Sequence, residues 1–126
     1  MSESVGSAEK LVREFCQAWT RKDARELLGY FTEDSVYHNM PMPEARGPEA
    51  IAQVFNFFLP IAEKIEWEIL NLVADGNLVF TERVDRFVIG GKSVDLPVAG
   101  IFEVQDGKIK AWRDYFDMQA WTNQVP

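Results

Sequence analysis

A chain of 126 residues has the length of one ordinary domain, and its 47% apolar and 13% aromatic residues provide material for one hydrophobic core. Twenty acidic residues against thirteen basic ones give a formal net charge of -7, and the basic residues are scattered, which argues against a nucleic-acid partner. A single cysteine excludes an internal disulfide, and a single histidine argues against a His-rich zinc site, which leaves only metal binding by carboxylates, for which the sequence gives no support.

The first ten residues, MSESVGSAEK, contain neither a basic start nor an apolar run. No segment approaches the roughly 18 consecutive apolar residues of a membrane span. We therefore expect a single domain over residues 1–126, without a membrane partner and located in the cytoplasm.

Three helices are predicted in the first half of the chain. Apolar residues recur at helical spacing from residue 7 to about residue 22, with charged residues between them. Asp23 and Glu26 have the spacing of a capping box, which predicts a short second helix. A Gly-Pro pair at 47–48 starts a third helix, and Pro60 ends it.

Strands are predicted in the second half, where apolar and polar residues alternate and glycine-containing turns separate the segments. This pattern indicates a four-stranded antiparallel meander. Its strands cover about residues 64–74, 78–89, 92–104 and 108–116. A short strand at 35–39 precedes the meander, and Glu33 and Asp34 are expected to lie in the turn before it.

The order of these elements predicts the fold class. Helices first and a long meander afterwards argue for an α+β fold, with the three N-terminal helices over the concave face of a curved sheet. After the last strand, Asp117 is expected to cap a final helical turn that runs through Trp121.

Alternation along a strand also indicates which polar side chains share a face. Arg83 and Asp85 lie two residues apart and project together, while Asp114 shares its face with Trp112 and Phe116. If both sets face the concave side, one guanidinium could hydrogen-bond to both carboxylates, which its fixed fork of donors suits.

The same rule indicates on which face of a strand the remaining candidates lie. Tyr37 and Asn39 project together from the short early strand, and His38 points to the opposite face. Strict alternation in the last strand turns Ile109 away from the face that carries Asp114.

Each motif also has an ordinary structural interpretation. Residues 82–86 could form a solvated strand face with surface ion pairs, and Asp114 could be a structural carboxylate. Tyr37 and Asn39 could each form a hydrogen bond to a loop or to a helix cap. His38 is assigned to structure or surface, and the lone cysteine to the core.

Three segments together are more specific than any one of them. Residues 37–43 (YHNMPMP), 81–85 (TERVD) and 112–117 (WRDYFD), in this order, resemble the limonene-1,2-epoxide hydrolase family. The resemblance covers nearly the whole chain, including Gly47 and the Gly-Ile-Phe segment at 100–102. It implies a curved mixed sheet that forms a cone, an architecture shared with ketosteroid isomerase and nuclear transport factor 2.

The resemblance also implies the roles of five residues. Asp85 would be the general acid, Asp114 the general base, and Arg83 the group that couples them, while Tyr37 and Asn39 would position the attacking water. The implied reaction adds water to a hydrophobic cyclic, terpenoid or aryl epoxide in one step, giving a vicinal diol without a covalent intermediate. No cofactor is implied, and the family suggests a homodimer.

An apolar pocket would suit such a substrate. The candidate lining residues are Phe55, Phe58, Phe87, Leu96, Val98, Ile101 and Phe116. Family members often carry a longer N-terminal segment, which bears on how one end of the pocket closes.

Two other classes of function compete with this one. The same cone hosts ketosteroid isomerases and polyketide cyclases, but an isomerase needs a separate oxyanion hole of neutral donors, and Arg83 beside Asp85 argues against one. The other alternative is a non-catalytic ligand-binding module, in which the polar cluster merely pairs internally.

Overall fold

The computed structural model describes residues 2–126, with side chains from residue 6 onward, and over this range the chain forms four α-helices and six β-strands. The helices are α1 (Ser2–Ala18), α2 (Ala24–Leu28), α3 (Gly47–Phe58) and α4 (Met118–Thr122), with a 3-10 turn at Trp19–Arg21. The strands are β1 (Phe31–Asn39), β2 (Ala45–Arg46), β3 (Ala62–Asp75), β4 (Leu78–Ile89), β5 (Lys92–Gln105) and β6 (Lys108–Tyr115).

The helix boundaries follow local capping. The Asp23 carboxylate accepts hydrogen bonds from the backbone N–H groups of Arg25 and Glu26, which confirms the cap of α2. The Glu26 side chain does not complete a capping box, because it pairs with Arg21 instead. Asp117 caps α4 as predicted, through the Gln119 N–H.

The sheet has the strand order β2-β1-β6-β5-β4-β3, and its four last strands form the predicted antiparallel meander. Strand β1 is parallel to β6, which makes the sheet mixed. The fold is therefore α+β with one curved mixed sheet, as predicted, and this sheet is not closed.

Strand β1 is longer than the sequence predicts. Glu33 and Asp34 lie within it, so their placement in a turn is wrong. The pairing of β1 with β6 is irregular between Phe31 and Val36. There the Thr32 N–H donates to Ser35 Oγ at 2.8 Å, and this buried hydroxyl donates to the carbonyl of Ile109 at 2.7 Å. These bonds hold the irregular segment in the sheet.

A β-bulge at Lys110 corrects a second expectation. Val104 pairs with Ile109 and Glu103 pairs with Ala111, so Lys110 is the extra residue on β6. The extra residue reverses the alternation, and Ile109 shares the concave face with Asp114 instead of pointing away. Ile109 is accordingly fully buried.

The hydrophobic core lies between the helices and the concave face of the sheet. Phe15 of α1 is at its centre, within 5.0 Å of the Trp112 ring and 6.0 Å of the Phe102 ring, centroid to centroid. Helix α1 packs against β3 and β4, and α3 against β1. The expectation that three helices cover the sheet holds only in part, because α2 packs mainly against α3.

Within residues 2–126, no helix has the length and apolar character that a membrane crossing requires.

Candidate active site

Strand register brings the predicted polar residues together. Gly100 of β5 pairs with Thr81 of β4 on one side and with Asp114 of β6 on the other. Paired residues share a face, so Thr81, Arg83 and Asp85 all project to the concave side with Asp114. Because glycine has no side chain, the Arg83 guanidinium can cross over β5 to reach Asp114.

Arg83 holds both carboxylates. Its Nε and Nη2 donate to Asp85 Oδ1 and Oδ2 at 2.9 and 2.8 Å. Its Nη2 and Nη1 donate to Asp114 Oδ2 and Oδ1 at 2.9 and 3.3 Å. Arg83 is 1% exposed, Asp85 3% and Asp114 4%, so these charges are stabilised by one another and not by solvent. The structure thus contains the bridge that alternation suggested on the concave face of β4, while the opposite face of the same segment carries the surface ion pairs of Arg86.

The two carboxylates differ in their surroundings. Asp114 Oδ1 accepts a further hydrogen bond from Trp112 Nε1 at 2.7 Å, which stabilises negative charge on Asp114. Burial raises the pKa of Asp85 to about 6, against the attraction of Arg83, and repulsion from Asp114 adds to the increase. Asp85 therefore holds a proton far more readily than an exposed aspartate does.

The cation of the cluster is permanent. Burial opposes the charge of Arg83, but Asp114 and Asp85 outweigh it and raise the pKa of the guanidinium above its ordinary value. The Trp67 ring also covers the guanidinium, with Cζ 4.5 Å from the ring centroid.

Tyr37 and Asn39 reach the same place from β1. Asn39 pairs with Asp114, and Tyr37 pairs with Trp112, whose ring it stacks on at 4.0 Å. Burial and the charge of Asp114 raise the pKa of Tyr37 well above its usual value, while a hydrogen bond with Asn39 opposes the shift. The phenol therefore stays neutral and can donate or accept a hydrogen bond.

A cavity of about 180 Å³ lies beside the polar cluster, and Tyr37, Asn39, Asp85 and Asp114 form part of its wall. The sequence-predicted apolar residues that line it are Phe55, Phe58, Phe87, Leu96, Val98 and Phe116. Ile101 is not among them, and its assignment to the pocket is wrong. It pairs with the exposed Phe80 on the convex face of the sheet, because its position in β5 has the opposite parity to Leu96 and Val98.

Sequence reasoning missed several residues that line the cavity. These are Trp19, Met42, Val54, Phe57, Trp67, Met118 and Trp121. Trp67 pairs with Asp85 across β3 and β4, which turns both side chains to the concave face. Alternation within β3 does not show which residue of β4 lies opposite Trp67. The sequence alone therefore did not identify Trp67 as a cavity residue.

The remaining candidates lie outside the cavity. His38 Nε2 bonds to the carbonyl of Met42 at 2.8 Å, in agreement with its predicted structural role. Cys16 is a core residue, as expected, and burial raises the pKa of its thiol to about 12. Across the part of the chain that the structure describes, no three His, Cys, Asp or Glu side chains are grouped so that they could hold a metal ion.

Comparison with known proteins identifies relatives of this arrangement. The chain is 36% identical over 107 residues to the epoxide hydrolase EphG of Mycobacterium tuberculosis. The aligned residues cover 85% of this chain and 71% of the relative. The solved structure of an LEH-like epoxide hydrolase from M. tuberculosis is 32% identical, has a TM-score of 0.78, and is matched over 94% of this chain and 89% of its own.

More distant structures share the fold alone. One named as a SnoaL-like polyketide cyclase from Shewanella denitrificans has a TM-score of 0.84 at 16% identity, over 93% of this chain and 95% of its own. In sequence, residues 6–126 match the family model of the limonene-1,2-epoxide hydrolase catalytic domain. The chain therefore belongs to the limonene-1,2-epoxide hydrolase family and is an enzyme of the epoxide hydrolase type.

Proposed function

We propose that this protein adds water to a hydrophobic cyclic, terpenoid or aryl epoxide and releases a vicinal diol, in one step and without a covalent intermediate. The observation that carries the proposal is the buried Arg83 bridge between Asp85 and Asp114, two residues that line an apolar cavity. Opening an unactivated epoxide requires an acid on the oxygen and a nucleophile behind the carbon.

Asp85 is the general acid. Its raised pKa, about 6, keeps a useful fraction of the group protonated near neutral pH. The carboxylic acid proton passes to the epoxide oxygen as the carbon–oxygen bond breaks, and Asp85 is left as a carboxylate paired with Arg83. Such a proton transfer contributes about 10²- to 10⁴-fold to the rate.

Asp114 is the general base. Donors from Arg83 and Trp112 stabilise its negative charge, so it can accept a proton from water while the water oxygen bonds to the carbon. A buried water needs about two to four polar partners, and Asp114, Tyr37 and Asn39 supply three. At the end of the step the two acids have exchanged protonation states, and a proton must return from Asp114 to Asp85.

The size and lining of the cavity support the substrate class. An apolar cavity of about 150 Å³ can hold a benzene molecule. The cavity here, about 180 Å³ with a wall of phenylalanine, leucine and valine side chains, suits one ring with a small substituent.

A homodimer, suggested by the family resemblance, fits the convex face of the sheet. Val73 and Phe80 pair there and are 67% and 47% exposed, and Ile101 lies beside Phe80. An exposed apolar row of this kind is typical of a protein interface. Sedimentation velocity tests this assembly, and a monomer at all concentrations would contradict it.

The experiment that tests the proposed reaction is diol formation from cyclohexene oxide, limonene-1,2-epoxide and styrene oxide, followed by gas chromatography. The protein is dialysed against a chelator, and no cofactor is added. We expect diol at rates well above the uncatalysed reaction. Tight binding of these epoxides with no diol would instead identify a ligand-binding module.

A further inference from the structure

The Arg83 guanidinium has an uncharged partner beside its two carboxylates. Nη1 donates to Thr81 Oγ1 at 3.2 Å, and the Thr81 hydroxyl donates to the backbone carbonyl of Gly100 at 3.2 Å. Thr81 is 4% exposed and shares the concave face of β4 with Arg83. Because the hydroxyl proton is directed at the backbone of β5, the oxygen lone pairs are left to accept from Arg83.

The five N–H groups of the guanidinium all have acceptors. Nε donates to Asp85, and Nη2 donates to both Asp85 and Asp114. Nη1 divides its N–H groups between Asp114 and Thr81. Arg83 is 1% exposed, so solvent cannot replace any of these acceptors. Thr81 therefore takes part in fixing the direction of the guanidinium.

The two carboxylates do not share the cation equally. Both bonds from Arg83 to Asp85 and the bond from Nη2 to Asp114 measure 2.8 to 2.9 Å. The bond from Nη1 to Asp114 Oδ1 is longer, at 3.3 Å, and Nη1 is the nitrogen that also donates to Thr81. Without the hydroxyl, Nη1 would have to turn towards Asp114 to keep its N–H groups bonded. Thr81 thus holds the guanidinium back from Asp114.

We infer that Thr81 is a positioning residue for epoxide opening, which sets how Arg83 is divided between the acid Asp85 and the base Asp114. This inference rests on the proposed epoxide hydrolysis. Thr81 is not among the described residues that line the cavity, so it acts through Arg83 and not on the substrate. A guanidinium that moved towards Asp114 would weaken this base and would withdraw positive charge from the carboxylate that Asp85 becomes during the step.

The surroundings of Arg83 leave the carboxylate pair to titrate near neutral pH. Two other titratable groups interact with the charge of Arg83, namely Tyr37 from β1 and Cys16 from α1. Burial raises the pKa of Tyr37 well above its usual value and that of Cys16 to about 12, so both are neutral there. Trp67 of β3 and Gly100 of β5, which also contact or adjoin the guanidinium, do not titrate.

Thr81→Val tests the role, because valine keeps the branched shape and removes the hydroxyl. With cyclohexene oxide as substrate, we expect kcat to fall about tenfold, as the loss of one hydrogen bond to a charged group implies, while KM stays unchanged. The alkaline limb of the kcat profile should move to higher pH, because Asp85 loses part of its attraction to Arg83. Thr81→Ser keeps the hydroxyl and should restore both kcat and the limb. Thr81→Ala removes the same hydroxyl and serves if Thr81→Val does not fold.

Ser35→Ala is the matched control for the loss of a buried hydroxyl. Ser35 Oγ also donates to a backbone carbonyl, that of Ile109, but it accepts from the Thr32 N–H and not from Arg83. We therefore expect this variant to lose stability in urea and to keep the alkaline limb in place. Three results would overturn the inference: an unchanged kcat and limb in Thr81→Val, a limb that moves to lower pH, or equal losses in Thr81→Val and Thr81→Ser.

A titration without substrate distinguishes this inference from the proposed reaction. ¹³C NMR of protein labelled at the aspartate carboxyl carbons follows the pair directly, and Asp85→Asn and Asp114→Asn identify the two signals. A transition that moves to higher pH in Thr81→Val, in a protein that hydrolyses no epoxide, would sustain the hold of Thr81 on Arg83 and reject the reaction. Hydrolysis by the unmodified protein, with the same titration in Thr81→Val, would reject the role of Thr81 alone.

Discussion

Gly100 lies directly opposite Asp114 in the pairing of β5 with β6, and a Cβ on Gly100 would stand 2.6 Å from Asp114 Oδ1. The same Cβ would collide with Arg83 Nη1 and approach Thr81 Oγ1 to 3.0 Å. The bridge between the two carboxylates therefore depends on Gly100, because a side chain at this position would collide with it.

Gly100→Ala should damage the site through this contact. The added methyl must displace Arg83 or Asp114, and overpacking of this kind costs about 1–3 kcal/mol of the free energy of unfolding. We expect at least a tenfold loss of kcat/KM, measured beside urea denaturation. Gly6→Ala is the control, because a Cβ there meets no atom within 4 Å. Full activity in Gly100→Ala would show that the close approach is dispensable.

Asp85→Asn and Asp114→Asn each keep the shape of the side chain and remove its proton-transfer role. We expect each to lower kcat about 10²- to 10⁴-fold while the circular dichroism spectrum stays native. A folded variant that still makes diol at a substantial rate would show that the replaced residue does not have its assigned role.

Arg83→Lys tests the bridge itself. An ammonium group retains the positive charge but cannot offer the planar fork that spans Asp85 and Asp114. We expect a loss of kcat of at least about tenfold in steady-state assays, since the two carboxylates lose their common donor. Near-normal turnover would mean that charge alone suffices.

The rate should decline with rising pH. Asp85 acts in its protonated form, and burial raises its pKa to about 6, so the protonated acid predominates below that pH and is lost above it. We expect kcat/KM to fall about tenfold per pH unit on the alkaline side, with an apparent pKa that belongs to the coupled carboxylate pair.

His38 supplies the control for that profile. Histidine is the other side-chain type that titrates in this range, and His38 is the only one in the chain. Because its ring bonds to the carbonyl of Met42 and does not line the cavity, His38→Ala should leave the alkaline limb in place. Loss of that limb in the folded variant would assign it to the histidine.

The source of the new oxygen separates direct attack by water from a covalent ester. In a single turnover in ¹⁸O-water with enzyme in excess, a base-assisted attack places one label in the diol from the first cycle. If Asp85 or Asp114 attacked the carbon, the first diol would carry an unlabelled protein oxygen. Mass spectrometry of that first diol decides, and mostly unlabelled product would reject the one-step mechanism.

Local pattern was sufficient to pair the polar residues within each strand of the centre. Alternation within one strand fixes the relative direction of residues two apart, whatever the strand pairs with, so Arg83 with Asp85 and Trp112 with Asp114 were placed on common faces from the sequence. The family resemblance supplied the roles of these residues. The turns of the meander were equally local, because glycine marks each of them.

The tertiary structure alone decided which residues surround that centre. Lys110 forms a bulge only because of how β6 pairs with β5, and this shift brings Ile109 inwards. The register of β3 and β4 places Trp67 opposite Asp85. Trp19 stacks on Trp67 from the turn after α1, far away in sequence. Register and packing depend on contacts between distant segments, so the period of any one segment could not reveal which tryptophans line the cavity.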